Sequence, residues 1–190
     1  TNAEKPPVNP NPPGVTPPGP DTPVITPPGP DPDNKDDDPD PNPSDVLTLN
    51  DKITIDSVEY QVIDTKANTV AAVKLTNKKA SKITIPDTVS IKKISCRVVK
   101  INDKVFQSAT KLKTVKLGKY VAAIGKNAFA KCKKLKTITF QETNVTIGKG
   151  AFKKAKSGIT VKGTKKLKGK KKSAFKKKLT KAGMKNPKLK

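Results

Sequence analysis

From residue 101 onward the apolar positions return every 23 residues. Ile101, Ile124 and Ile147 share one column, with Gly125 falling on Gly148. Phe106, Phe129 and Phe152 share a second, with Ala128 on Ala151, and Ala109, Cys132 and Ala155 form a small-residue third. Leu112 falls on Leu135, and Val115, Ile138 and Val161 align. Within each unit, Leu112-x-x-Val115-x-Leu117 and Leu135-x-x-Ile138-x-Phe140 alternate with period two, the mark of a half-buried strand. The segments 127–132 and 150–155 read as one tight helical turn. One strand and one turn cannot bury their own apolar face, but stacked units merge their columns into a continuous core. Upstream, Ile53–Ile55 and Tyr60–Val62 flank Asp56-Ser57 as a hairpin, and Val70–Leu75 and Ile94–Val99 read as further strands. Downstream, Ser173 is the expected cap of a short helix with Phe175, Leu179 and Ala182 on one face, stopped by Gly183 and Pro187. Phe175 keeps the 23-residue register, yet no Ile-Gly precedes it and no strand is expected after it. It reads as a degenerate last unit serving as a lid.

The pattern predicts a β-rich α/β solenoid: about three 23-residue units at 101–163, a β-hairpin N-terminal cap at 46–100 and a Lys-rich cap helix at 164–190. Residues 1–45 are a different object. They hold 16 of the 18 Pro and nine acids against Lys5 and Lys35, a net charge of −7. They have no aromatic residue and almost no sizeable apolar side chains beyond Val8, Val15, Val24 and Ile25. Such a segment cannot bury enough surface to offset its ordering entropy. Its Pro density favours an extended, semi-rigid spacer, in which Val15–Asp21 recurs as Ile25–Asp31. The acidic run Asp31–Asp40 lacks the mid-loop Gly and terminal Glu of a calcium loop and reads as solvated linker charge. A spacer joins things, so a further domain or anchor is expected upstream of Thr1.

The Ile-Gly-x-x-Ala-Phe-x-x-Cys-x-x-Leu-x-x-Ile pattern at Ile124–Ile138 and the Ile-Thr-Ile-Pro-Asp-Thr-Val entry at Ile83–Val89 resemble BspA-like (treponemal-type) leucine-rich repeats. The resemblance covers about Ile83 to Lys162. The second unit is the most faithful; the first lacks Gly after Ile101 and has Val105 for Ala, and the third has Ala155 for Cys and Gly158 for Leu. It implies an extracellular, cell-surface or wall-associated binding or adhesion module of Gram-positive bacteria. In that pattern the residues flanking the buried strand position face the concave side. Here they are Thr114, Thr137 and Thr160 in one row, and Lys116, Thr139 and Lys162 in the next. Three rungs would present a small face of hydroxyl and ammonium groups.

Charge changes the picture more than any motif. Residues 46–190 carry 38 Lys+Arg against seven acids, a net +31, and from Lys104 onward there are 28 Lys and one acid, Glu142. The densest stretch is Lys165, Lys166, Lys168, Lys170, Lys171, Lys172, Lys176, Lys177 and Lys178, a candidate polyanion patch. Such a coat repels itself and attracts polyanions. Lys outnumbers Arg 37 to one in this part, and most Phe are committed to the core. Base-reading forks and stacking platforms are therefore scarce, so specific nucleic-acid recognition is not expected. Any polyanion binding should be nonspecific and salt-sensitive.

Catalytic chemistry has little to build on. The absence of His removes His-based triads, the HExxH zinc site and a His general base. Cys132 sits in the small-residue column and reads as a buried small hydrophobe; a Cys96–Cys132 disulfide and a Lys-activated thiol are the alternatives. Asp51, Asp56, Asp64 and Asp87 fall at turn-like positions, where a carboxylate bonds nearby amides. No run approaches the ~18 apolar residues of a spanning helix, so no membrane insertion is expected, and neither is an enzyme, a metal or a cofactor. The favoured function is a noncatalytic surface module retained on an anionic cell-wall polymer. The alternatives are an adhesin for host sulfated glycans or proteins, an ancillary module of a larger secreted enzyme, and, last, nucleic-acid binding.

Overall fold

A computed structural model describes residues 44–190. The spacer, its repeat and its acidic run therefore lie almost wholly outside the described residues. In chain order the elements are β1 (Lys52–Ile55), β2 (Val58–Asp64), β3 (Thr69–Leu75), β4 (Lys82–Thr84), β5 (Thr88–Ile91), β6 (Ile94–Ile101), β7 (Thr114–Lys116), β8 (Ala123–Ile124), β9 (Thr137–Thr139), β10 (Thr146–Ile147), β11 (Thr160–Lys162), α1 (Gly169–Lys181) and β12 (Lys188–Leu189). They form two sheets. One runs β1-β2-β3-β6-β8-β10, with β5 pairing β6 as well; the other runs β12-β11-β9-β7-β4.

The expected hairpin is β1–β2. Asp56 and Ser57 both take positive φ, 47° and 70°, the left-handed pair that a two-residue hairpin turn requires. A second hairpin, β5–β6, turns through Lys92 and Lys93 at φ 49° and 63°. Lysine is a poor choice for such a turn, so this hairpin carries no sequence signal. Lys92 is itself tied down, its ammonium donating to the Val46 carbonyl at 2.9 Å and pairing with Asp51 at 3.1 Å. The amide of Thr48 donates to the Asp51 carboxylate at 2.7 Å and, with Lys92, holds its pKa below the usual aspartate value. Tyr60, between these strands, is fully buried with no hydrogen-bond partner for its hydroxyl, and burial pushes its pKa up.

The 23-residue columns become physical ladders. Val115, Ile138 and Val161 pair directly in parallel strands, and all are fully buried. Ile101, Ile124 and Ile147 pair in the other sheet. Between the ladders the Phe rings stack: Phe106 on Phe129 at 5.0 Å and Phe129 on Phe152 at 5.5 Å, within 8° and 6° of parallel. These spacings match neighbouring strands in a sheet, ~4.8 Å apart, so each rung sets the ring distance for the next. Leu112, Leu135 and Cys132 fill the remaining interior. Cys96 and Cys132 are both buried and free. The Cys132 thiol donates to the Phe106 carbonyl one rung away at 3.0 Å, and burial pushes its pKa up to about 11. That is the small buried hydrophobe expected, not the disulfide.

Close approach of the rungs explains the Gly column. A Cβ on Gly148 would lie 2.7 Å from the Lys126 amide nitrogen, and one on Gly125 would lie 2.5 Å from that of Asp103. Only the smallest residue lets the chains pass so closely.

Four expectations are corrected. The segments after these glycines are successions of turns rather than helical turns. Their amides donate to the next rung, as Phe106 N does to Ala128 O and Phe129 N to Ala151 O, both at 2.8 Å. Left-handed residues recur in register at Lys104, Asn127 and Gly150 and again at Ser108, Lys131 and Lys154, which keeps the path from closing into a helix. The final helix starts at Gly169, not at Ser173, and its N-cap Lys168 makes no side-chain capping bond. Phe175 is buried as expected, but it meets Phe140 edge-on at 5.4 Å and 88° rather than extending the Phe stack. Where a fourth Phe was due, the Phe152 amide bonds the Ala182 carbonyl at 2.9 Å. Lastly, a strand does follow: β12 pairs β11, Thr160 with Lys188 and Val161 with Leu189. Phe175, Leu179 and Ala182 form the buried face of α1, and Gly183 ends it at φ 92°. Gly183 N and Met184 N bond the Thr180 and Leu179 carbonyls, closing the helix with a paired left-handed cap.

Candidate functional site

A flat parallel ladder dictates the candidate face. Since β7, β9 and β11 pair without offset, the residues on either side of the buried column must line up. Thr114, Thr137 and Thr160 form one row, all half-buried; Lys116, Thr139 and Lys162 form the other, with both lysines exposed. The ladder is longer than the period showed. β4 adds Lys82 beside Thr114 and Thr84 beside Lys116, and β12 adds Lys188 beside Thr160. One row thus reads Lys82, Thr114, Thr137, Thr160, Lys188, and the other Thr84, Lys116, Thr139, Lys162. The signal for the added rungs was local: Lys82-Ile83-Thr84 has the same polar–apolar–polar form as Thr114-Val115-Lys116. A search at one fixed period passes over it, because the loops into and out of the ladder differ in length.

The nine patch lysines are all exposed but do not form one surface. Lys165 and Lys166 turn toward the end of β11, where they line a hollow of about 650 Å³ together with Lys162, Lys190 and the segment 140–143. Lys171 and Lys178 line a smaller hollow against α1, beside Thr143 and Asn144, and the Lys178 ammonium donates to the Val145 carbonyl at 3.0 Å. Lys172 and Lys176 border a third, against Pro187–Leu189. Lys168 caps α1, and Lys170 and Lys177 lie on its exposed sides. The structure therefore joins part of the patch to a strand row, through Lys162, and scatters the rest around the helix.

Elsewhere lysines repeat in the stacking register, as at Lys111 and Lys134, Lys113 and Lys136, Lys131 and Lys154, and Lys133 and Lys156, all exposed. Ion pairing does not relieve them. The three ion pairs among the described residues use Glu59, Asp51 and Asp87. Asp87 also accepts the Lys119 amide at 2.8 Å and the Gln141 side-chain amide at 3.2 Å, and Asp103 accepts the Lys126 amide one rung on at 2.7 Å. These carboxylates tie rungs together, whereas Asp64 serves its own turn through Ala67 N at 2.9 Å. Among the described residues no group of His, Cys, Asp and Glu could hold a metal ion, and no helix is long and apolar enough to cross a membrane.

A repeated passage of strand, turns and strand through two parallel ladders, around stacked side chains, defines a leucine-rich-repeat solenoid. The chain belongs to the BspA type of leucine-rich repeat region: the profile of that family matches residues 69–186, in six copies. Among solved structures, a leucine-rich repeat protein from Bacteroides capillosus shares the fold, with a TM-score of 0.54 at 16% identity over 74% of this chain and 99% of its own. A leucine-rich cell surface protein from Faecalibacterium prausnitzii is 32% identical over 54% of this chain, with a TM-score of 0.46. A leucine-rich repeat protein from Bacteroides ovatus is 25% identical over 58% of this chain, with a TM-score of 0.47. The chain spans 28% and 36% of the length of these last two. A search of curated proteins gave no match.

Proposed function

We propose that this chain is a noncatalytic binding module of the bacterial cell surface, which offers its Thr/Lys strand face to a partner and is held by its lysine coat on an anionic cell-wall polymer. The observation that carries the reading is the folded part's +31 charge, left without acidic partners beyond Asp103 except for Glu142. Like charges repeating at rung spacing raise the free energy of the folded state, and a bound polyanion lowers it again. The cell-surface setting of the Faecalibacterium prausnitzii protein supports the location. Lysine rather than arginine makes the coat a set of hydrated point charges, suited to retention on a polymer and poorly suited to reading a sequence.

The test is sedimentation with purified Gram-positive cell walls over a salt series. Recovery should fall steeply as salt rises, because screening weakens charge attraction beyond the Debye length. Walls stripped of their teichoic acid should recover markedly less protein at low salt. Equal recovery on both kinds of wall would end the retention reading.

A further inference from the structure

We propose that the hollow at the end of β11 is a discrete site for a phosphate or sulfate ester carried on a hydroxylated body, such as a polyol or a sugar. The proposal rests on the reading of the coat as a polyanion surface and assigns to it one specific pocket. The hollow encloses about 650 Å³, within the range of small-molecule sites. Its floor is apolar, from buried Phe140 and half-buried Leu167. Four lysines line it, Lys162, Lys165, Lys166 and Lys190, and none is in an ion pair among the described residues.

The walls are fixed by buried contacts. Thr164 is only 1% exposed, and its hydroxyl donates to the Lys190 carbonyl at 3.0 Å. The Lys190 amide in turn donates to the Val161 carbonyl at 2.9 Å. Gly163, at φ 86°, passes so close to the Phe140 carbonyl that any side chain would collide with it. On the opposite wall, Gln141 is anchored through its side-chain amide to Asp87.

The lining specifies the ligand class. Ammonium groups act as hydrated point charges and suit a compact oxyanion such as phosphate or sulfate, which they hold without a bidentate fork. No exposed aromatic face lines the hollow, so a nucleobase has nothing to stack on. Glu142 is the single acidic side chain from Lys104 onward, and it lies in this hollow with no ion pair among the described residues. Beside four cations it repels a bare anion but accepts hydrogen bonds from hydroxyl groups. With Gln141 and Thr143 it fits the body of an ester, while the lysines take the charged end.

Titrating the whole chain, amide by amide in NMR spectra, tests this with three probes: glycerol 3-phosphate, glucose 6-sulfate and inorganic phosphate. An ester should bind saturably, with shifts centred on Gln141, Glu142, Thr143 and Gly163. Preference for the first probe assigns the site to polyol phosphates, and preference for the second to sulfated glycans. The double variant Lys162→Gln/Lys166→Gln should weaken ester binding about tenfold or more, while Lys111→Gln/Lys134→Gln, on another part of the coat, should leave it unchanged. Glu142→Gln should separate the probes, weakening the esters and strengthening inorganic phosphate. All these side chains are exposed, and an unchanged melting curve shows that each variant is folded. Shifts spread over every lysine row without saturation, or equal ester binding by the Lys162/Lys166 variant, would overturn the pocket and leave wall retention standing. Saturable ester binding without salt-dependent wall recovery would do the reverse.

Discussion

The two halves of the described chain solve the problem of stacking strands in opposite ways. From β1 to β3, and again from β5 to β6, the strands turn back through hairpins, with ion pairs between Lys52 and Glu59 and between Lys92 and Asp51. From β7 onward every strand pairing is parallel, one rung on the next, and almost every charge is positive. Residues 46–101 still carry ten basic residues against five acidic ones, so the first half offsets part of its charge where it arises. The second tolerates repulsion on its outside because its inside repeats: each Ile, Phe and Val packs on its own counterpart.

Breaking the interior ladder should have the largest effect. Phe129 stacks on both sides, so Phe129→Ala opens a cavity that touches three rungs and should cost about 3–5 kcal/mol. Urea unfolding measures it; a loss below about 1 kcal/mol would show that the rungs stand independently. Gly148→Ala is next, because the new methyl meets backbone at 2.7 Å rather than a side chain that can move. A loss of about 1–3 kcal/mol is expected, as for other overpacked sites. The smallest and most diagnostic effect is that of salt. Raising NaCl from about 0.01 to 1 M cuts the Debye length from about 30 to 3 Å. Screening should raise the melting temperature by a few degrees, since repulsion in the stack outweighs the few ion pairs of the first half. A melting temperature that falls with salt would reverse the comparison.

Much of this was legible in the residues. A period repeated three times admits one economical packing, so the Ile, Phe and Val columns and the capping helix with Phe175 and Leu179 inside could be read from spacing, while the Thr/Lys rows came from the family resemblance. Other features had no such signal. β8 and β10 are two residues each, too short to show alternation. The Lys92-Lys93 turn uses residues that do not mark turns. Phe175 fits the period by number, yet it lies on a helix whose packing turns it onto Phe140.

The sequence by itself determined the repeating interior, because identical side chains at a fixed interval must bury one another or remain in water. It also set the charge. Only the tertiary structure decided where that interior ends, with β4 and β12 as outer rungs of one ladder, because a strand joins wherever its backbone amides find partners. It decided too that Glu142, Lys162, Lys166 and Lys190 surround one hollow. Glu142 and Lys190 lie far along the chain from the end of β11, where Lys162 and Lys166 sit, and chain distance carries no information about which segments a solenoid brings side by side.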